Sequence, residues 1–365
     1  MAAIQGEHWA AQSADYQLAC LLGGAVGDAL GAPLQFFCDA DIKRHFGAAG
    51  LRDYAPIYSG RGAITDDTQL CLFTMEGLLQ CRVARARGDQ SLPLHYVHQA
   101  GLRWLCSQGL RRLPPVAERS FLLREKALFS RRAANDNFVN TLLQDERSES
   151  RAANYGKSGA GLCRVAPIAL YIASDSRKFW GEAAQREAFD LGCRVCALSE
   201  GHPSGQLPGG VLCLFLLGLL YGHPPESCMA VARHYLSQAK DADETERHLS
   251  RAAALADTEP GSIRAIESLG DGRYAPELLA MALYCLFCSE SFAEGVLLAV
   301  NHGGLSDSCG ALAGQLLGAW LGVSAIPEHW LEALELRELM GCLAADFLRA
   351  PDEPLMQQRY ANYAS

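Results

Sequence analysis

The chain has 365 residues, 49% of them hydrophobic, with a formal charge of −9 and fourteen cysteines. That length and apolar content allow a large buried core, and the acidic balance argues against the basic footprint of a nucleic-acid-binding protein. Cysteines scattered over such a length do not make a compact disulfide framework, so reduced, buried thiols and a cytoplasmic location are expected.

Residues 1–17 are polar, lack the apolar run of a secretory signal, and are expected to form a mobile N-terminal arm ahead of a single domain spanning 18–365. Next comes a glycine-spaced segment, with Gly23, Gly27 and Gly31 at every fourth position; Gly310, Gly314 and Gly318 repeat the pattern near the other end. A glycine inside a helix costs roughly 1 kcal/mol relative to alanine. Its repeated use predicts two helices whose backbones approach closely along those faces, bringing Asp307 and Ser308 beside Thr65 to Asp67.

Thr65-Asp66-Asp67-Thr68 precedes a helical apolar pattern of Leu70, Phe73, Met75, Leu78 and Leu79. Adjacent carboxylates repel unless a positive partner lies beside them, and a hard divalent cation is the simplest one. Helix capping is the competing explanation, because Thr and Asp suit that role. From Arg103 to Arg132, eight Lys and Arg residues face two Glu residues, which reads as a solvated helical face or a surface for an acidic partner.

The segment Ser158 to Pro167 has the small-residue composition of an anion-binding loop, with Gly159, Ala160 and Gly161 as its candidate ligand positions. Arg164 either supplies charge to that loop or makes a structural ion pair. His202 either lines the pocket or caps a turn before Pro203. The apolar run from Val211 to Tyr221 is too short to cross a bilayer and reads as a core helix, so no membrane partner is expected. Cys193/Cys196 and Cys285/Cys288 have Cys-x-x-Cys spacing, but both pairs sit in helical patterns without the turns of a zinc knuckle, and buried free thiols are the better reading. Leu and Ala dominate, Val/Ile alternation is sparse, and Pro114-Pro115, Pro224-Pro225, Pro260-Gly261 and Leu269 to Gly272 punctuate the helices. The prediction is an all-α fold, a compact orthogonal helical bundle.

Five ordered segments carry a family resemblance: Leu22 to Pro33, Gly62 to Gln69, Ser158 to Pro167, Gly201 to Gly205, and Ala299 to Ser308. Together they resemble the ADP-ribosylglycohydrolases, a family that includes dinitrogenase reductase-activating glycohydrolases and ADP-ribosylarginine hydrolases, over roughly residues 18 to 345. The resemblance implies the helical bundle, a metal-dependent hydrolase that removes ADP-ribose from modified protein side chains (arginine first among them), and one or two Mg²⁺ or Mn²⁺ ions. It implies Thr65, Asp66, Asp67, Asp307 and Ser308 as metal ligands, with Asp66, Asp67 and Asp307 serving catalysis, and the Gly159 to Gly161 loop as a contact for the ADP-ribose diphosphate and ribose. An ADP-ribosylated protein is the implied partner; an ADP-ribosyltransferase toxin, against which the chain would act as an immunity protein, is another. The chain departs from the family pattern at Gln35 and Leu305, where acidic residues are common, and at Glu200, in the place of a histidine. Those departures keep a second function open: a non-catalytic member that binds ADP-ribosylated protein or an ADP-ribosyltransferase.

Overall fold

Two helices from opposite ends of the chain, α1 (Ala2–Gly31) and the helix Ser306–Leu321, lie with their backbones in contact. A Cβ placed on Gly27 would sit 1.9 Å from the Gly310 carbonyl oxygen, and one on Gly310 would sit 2.3 Å from the Gly27 oxygen. No side chain fits either position, and Gly23 faces Gly314 in the same way. The two glycine series therefore do what their spacing predicts.

The computed structural model describes residues 2–35, 37–58, 60–112, 120–133, 135–144, 151–175 and 179–361, with the backbone alone for 2–13. The stretch expected to be an arm is, from Ala2 onward, the first half of α1. After it come α2 (Asp39–Phe46), α3 (Asp66–Ala86), α4 (Pro93–Ser107), α5 (Asp136–Gln144), α6 (Ala166–Ala173), α7 (Glu182–Ala197) and α8 (Pro203–Leu220). The second half holds α9 (Pro225–Leu236), α10 (Asp243–Thr258), α11 (Ile263–Leu269), α12 (Ala275–Cys288), α13 (Phe292–Val300) and α14 (Ser306–Leu321). Short α15 (Glu328–Ala333), α16 (Arg337–Leu348) and α17 (Pro354–Tyr360) close the chain. No strand occurs among the described residues, only two isolated bridges, so the all-α expectation holds.

Helices α3, α8, α12 and α14 are buried nearly all round, as helices without a polar face must be. The apolar run at Val211 belongs to the 18-residue α8; this helix and residues 14–34 are long and apolar enough to cross a membrane, yet 89% of each such window is buried within the bundle. The cysteines are free thiols: Cys196 and Cys285 are buried, Cys193 and Cys288 half-buried.

The basic stretch from Arg103 to Arg132 is not one solvated face. Arg103 is buried, with Nε 3.2 Å from Glu76 Oε2 and Nη2 donating to Gln80 Oε1 at 2.7 Å. Arg132 is also buried and pairs with Glu335, donating from Nη2 to Oε1 at 2.9 Å. Sequence spacing counted these charges on one surface, but α4 ends at Ser107 and the described chain beyond it has only 3-10 turns before α5.

Candidate active site: an acidic cluster where three helix ends meet

The last turn of α1 and the first turns of α3 and α14 converge, and each brings carboxylates. Thr65 caps α3 from an extended backbone (φ −101°), and its Oγ1 accepts from the Asp67 N–H at 3.2 Å. Capping and clustering are thus one arrangement: the cap turns Asp66 and Asp67 inward at the positive end of α3, where the helix dipole favours anions. Asp307 holds the equivalent place on α14, with Oδ1 accepting from the Ser308 N–H at 2.9 Å. The Ser308 hydroxyl donates to Asp67 Oδ2 at 2.6 Å, joining the two helix starts.

Asp28, fully buried in the last turn of α1, completes the cluster. It sits at the negative end of its own helix and is held there by donors from α3. Thr65 N–H (2.9 Å to Oδ2), Thr65 Oγ1 (2.6 Å to Oδ1) and Thr68 N–H (3.3 Å to Oδ2) donate to it, and the Thr68 hydroxyl donates to Oδ2 as well. Asp28 lies within the Leu22 to Pro33 segment, where the sequence alone gives it no role. The signal was there: a carboxylate directly after Gly27, in a helix whose neighbouring glycines force close packing.

Burial pushes the Asp66, Asp67 and Asp307 carboxyls above the usual range. For Asp66 the charges of Asp67, Asp307 and Asp28 add to burial, and for Asp307 those of Asp67 and Asp28 do. Hydrogen bonds from Ser308 and the Cys163 thiol work the other way on Asp67. Burial, then the Asp67 charge, raises Asp28 to about 7. Arg132 accepts the Asp66 N–H on its carbonyl at 3.3 Å, but its guanidinium is spent on Glu335 and on the Ile64 carbonyl at 2.7 Å. The carboxylates thus press on one another without a neutralising Lys or Arg among the causes of their shifts.

Hard oxygen donors in this state suit a divalent cation in place of protons. Among the described residues, no three His, Cys, Asp or Glu side chains already stand as a cage for an ion. Asp67 is instead engaged with Ser308 and Cys163, and Thr65 Oγ1 with Asp28 and the Asp67 N–H, so an entering cation must displace hydroxyl contacts. Leu305, at the cap of α14, has no side-chain oxygen; its N–H donates to the Asp271 carbonyl at 2.9 Å and its carbonyl accepts from the Cys309 N–H at 3.0 Å. Gln35 is half-buried just beyond the short turn that follows α1.

The glycine loop lies beside the cluster as the 3-10 segment Gly159–Arg164, with Cys163 as its link to Asp67. Glu200 organises it: Oε2 accepts from Ser158 N–H at 2.9 Å and Oε1 from Ser158 Oγ at 2.8 Å. Gly159 and Gly161 are buried close-packing positions; a Cβ would lie 2.5 Å from Leu278 Cδ2 and 3.1 Å from Cys196 Sγ, respectively. Ala160 is half-buried. Arg164 is buried, with Nη2 donating to Ser199 Oγ at 2.7 Å and its guanidinium 4.4 Å from the Phe138 ring centre. His202 caps α8, its Nδ1 accepting the Ser204 N–H at 3.1 Å. Cavities of about 650 and 540 Å³ lie beside Arg82 and beside Asn301, away from the acidic cluster.

An all-helical bundle with buried aspartates at the joined ends of helices defines a class, and the comparisons name it. The chain belongs to the ADP-ribosylglycohydrolase family, whose model matches residues 11–356. It is 26% identical over 340 residues to an ADP-ribosyl-[dinitrogen reductase] glycohydrolase of Rhodospirillum rubrum, covering 88% of this chain and 91% of that protein. It is 25% identical over 351 residues to the ADP-ribosylarginine hydrolase Tri1 of Pseudomonas putida, covering 93% of this chain and 80% of that one. A solved structure described as an ADP-ribosylglycohydrolase-related protein complex superposes with a TM-score of 0.65 at 26% identity, over 93% of this chain and 99% of that chain.

Proposed function

We propose that this protein hydrolyses the N-glycosidic bond between ADP-ribose and a modified protein side chain, arginine first, and does so with a divalent cation, Mg²⁺ or Mn²⁺. The observation that carries the reading is the buried acidic cluster, in which Asp67 and Asp307 are joined through Ser308 and every carboxyl is raised by burial.

Asp66, Asp67 and Asp307 would hold the cation, with Thr65 and Ser308 supplying hydroxyl oxygens. When bound, such an ion lowers the pKa of a water and orients ribose hydroxyls. The residues do the rest. The Gly159–Arg164 segment, fixed by Glu200, seats the diphosphate and ribose so that C1 faces the carboxylates. A carboxylate takes the proton of the attacking water as its oxygen bonds to C1 and the C1–N bond breaks; the guanidine leaves neutral and takes that proton up to become arginine's guanidinium, while the negative cluster favours the oxocarbenium-like charge that develops on the ribose. Protection against an ADP-ribosylating toxin, in a cytoplasm that keeps the thiols reduced, is the setting we assign to this activity.

One observation favours a second reading. Leu305 brings no side-chain oxygen to the start of α14, and a member short of a carboxylate ligand there would bind ADP-ribosylated protein or an ADP-ribosyltransferase without turnover. The deciding experiment is release of ADP-ribose from ADP-ribosyl-arginine under single-turnover conditions with Mg²⁺ or Mn²⁺. Release that stops with EDTA supports the hydrolase. Binding of the modified protein with no release supports the binder.

A further inference from the structure

Tyr58 stands at the edge of the acidic cluster in a conformation its residue type resists. Its φ is +52°, in the left-handed region that bulky side chains avoid. The cause is a tight turn: Ile57 and Gly60 form an antiparallel bridge, exchanging N–H···O bonds of 3.0 and 3.1 Å, and Tyr58 directly follows Ile57 in it. Turns of that length favour Asn, Asp or Gly at such positions. A tyrosine there gives up local stability, and a strained residue beside a functional cluster calls for a functional reason.

The surroundings supply one. The Arg132 guanidinium lies 5.3 Å from the Tyr58 ring centre, and Arg132 is itself fixed by Glu335, the Ile64 carbonyl and the Asp66 N–H. The ring is thus braced by the residue that also braces Asp66. It remains 45% exposed, while its hydroxyl feels the charges of Asp307, Asp28 and Asp66. A half-exposed aromatic ring beside a negative cluster has the recognition chemistry for a planar cation.

We infer that Tyr58 is a specificity-determining residue that receives the guanidinium of the acceptor arginine by cation–π contact while ribose C1 lies at the carboxylates. The assignment rests on the hydrolase reading for its substrate, and it explains how the site would prefer ADP-ribosyl-arginine to an O-glycosidically linked acceptor such as serine, which presents no cation to the ring.

Tyr58→Asn is the cleanest test, because asparagine suits a left-handed turn and keeps the fold. The expected result is a higher melting temperature together with a KM for ADP-ribosyl-arginine raised about tenfold, while the inhibition constant of free ADP-ribose stays within twofold. Tyr58→Phe should restore the KM. A merely structural tyrosine would not gain stability on replacement, so an unchanged KM, or ADP-ribose inhibition weakened as much as the KM, overturns the assignment. Saturation-transfer NMR with free agmatine needs no turnover. Contact with wild type that disappears in Tyr58→Asn supports the role, and absence of contact with wild type overturns it. Agmatine contact without any ADP-ribose binding would sink the hydrolase reading and leave the guanidinium site standing.

Discussion

Ser308 reaches across 241 residues of sequence to donate its hydroxyl to Asp67 at 2.6 Å. That contact fastens α14 to α3 where the acidic side chains gather, and it is what a bound cation would rearrange.

An Asp66→Ala/Asp67→Ala double variant should lose Mg²⁺ and Mn²⁺ binding by at least tenfold in calorimetry, because it removes two of the three carboxylates we assign as ligands. Helicity should be unchanged, since both residues lie in the first turn of α3. Equal heats for wild type and variant would end the metal-site assignment.

Leu305→Asp should tighten cation binding several-fold, because it adds a carboxylate at the cap of α14. If the missing oxygen limits the wild type, release of ADP-ribose should rise with it, and Asp67→Ala in the same background should abolish the release. No release from either wild type or Leu305→Asp would count for the binder.

Gly27→Ala is expected to destabilise the fold by about 1–3 kcal/mol or more, as overpacking of a close contact does. The added Cβ would meet a backbone oxygen at 1.9 Å, and no side-chain rotation relieves that clash. Urea denaturation reads the effect as a lower midpoint. An unchanged midpoint would mean that the α1–α14 contact loosens readily.

Stability should depend on pH in a direction set by the raised carboxyls. A carboxyl with a higher pKa folded than unfolded contributes stability below its unfolded value, near pH 4, and that contribution is lost as pH rises through the folded value. With EDTA present, the melting temperature should therefore fall as pH climbs from about 4, and Asp28, at about 7, carries the fall to neutrality. Saturating Mg²⁺ should shrink the fall, because it binds the ionised cluster. Scanning calorimetry checks both arms, and a flat profile in EDTA would show the carboxylates to be charged and solvated.

Much of this was legible from local chemistry. The helical period gave the fold class, and glycines at every fourth position announced the close helix pair because nothing else tolerates backbone contact. Asp66 and Asp67 stood out because adjacent carboxylates need a reason. Asp28 did not, since a single aspartate in an apolar helix gains its meaning only from donors on another helix, Thr65 and Thr68. The burial of Arg132 escaped for the same reason, and Arg164 was left between two roles: their partners, Glu335 and Ser199, are far along the chain. Tyr58 was invisible because only the backbone angle reveals its strain.

The glycine seam between α1 and α14 also sets when the site can exist. Its carboxylates come from the first tenth, the first fifth and the last fifth of the chain, so a nascent polypeptide leaving the ribosome holds no assembled cluster until α14 has emerged and docked. On the reading proposed above, cation uptake would be a late event in biogenesis, and a fragment ending before Ser306 should never acquire it.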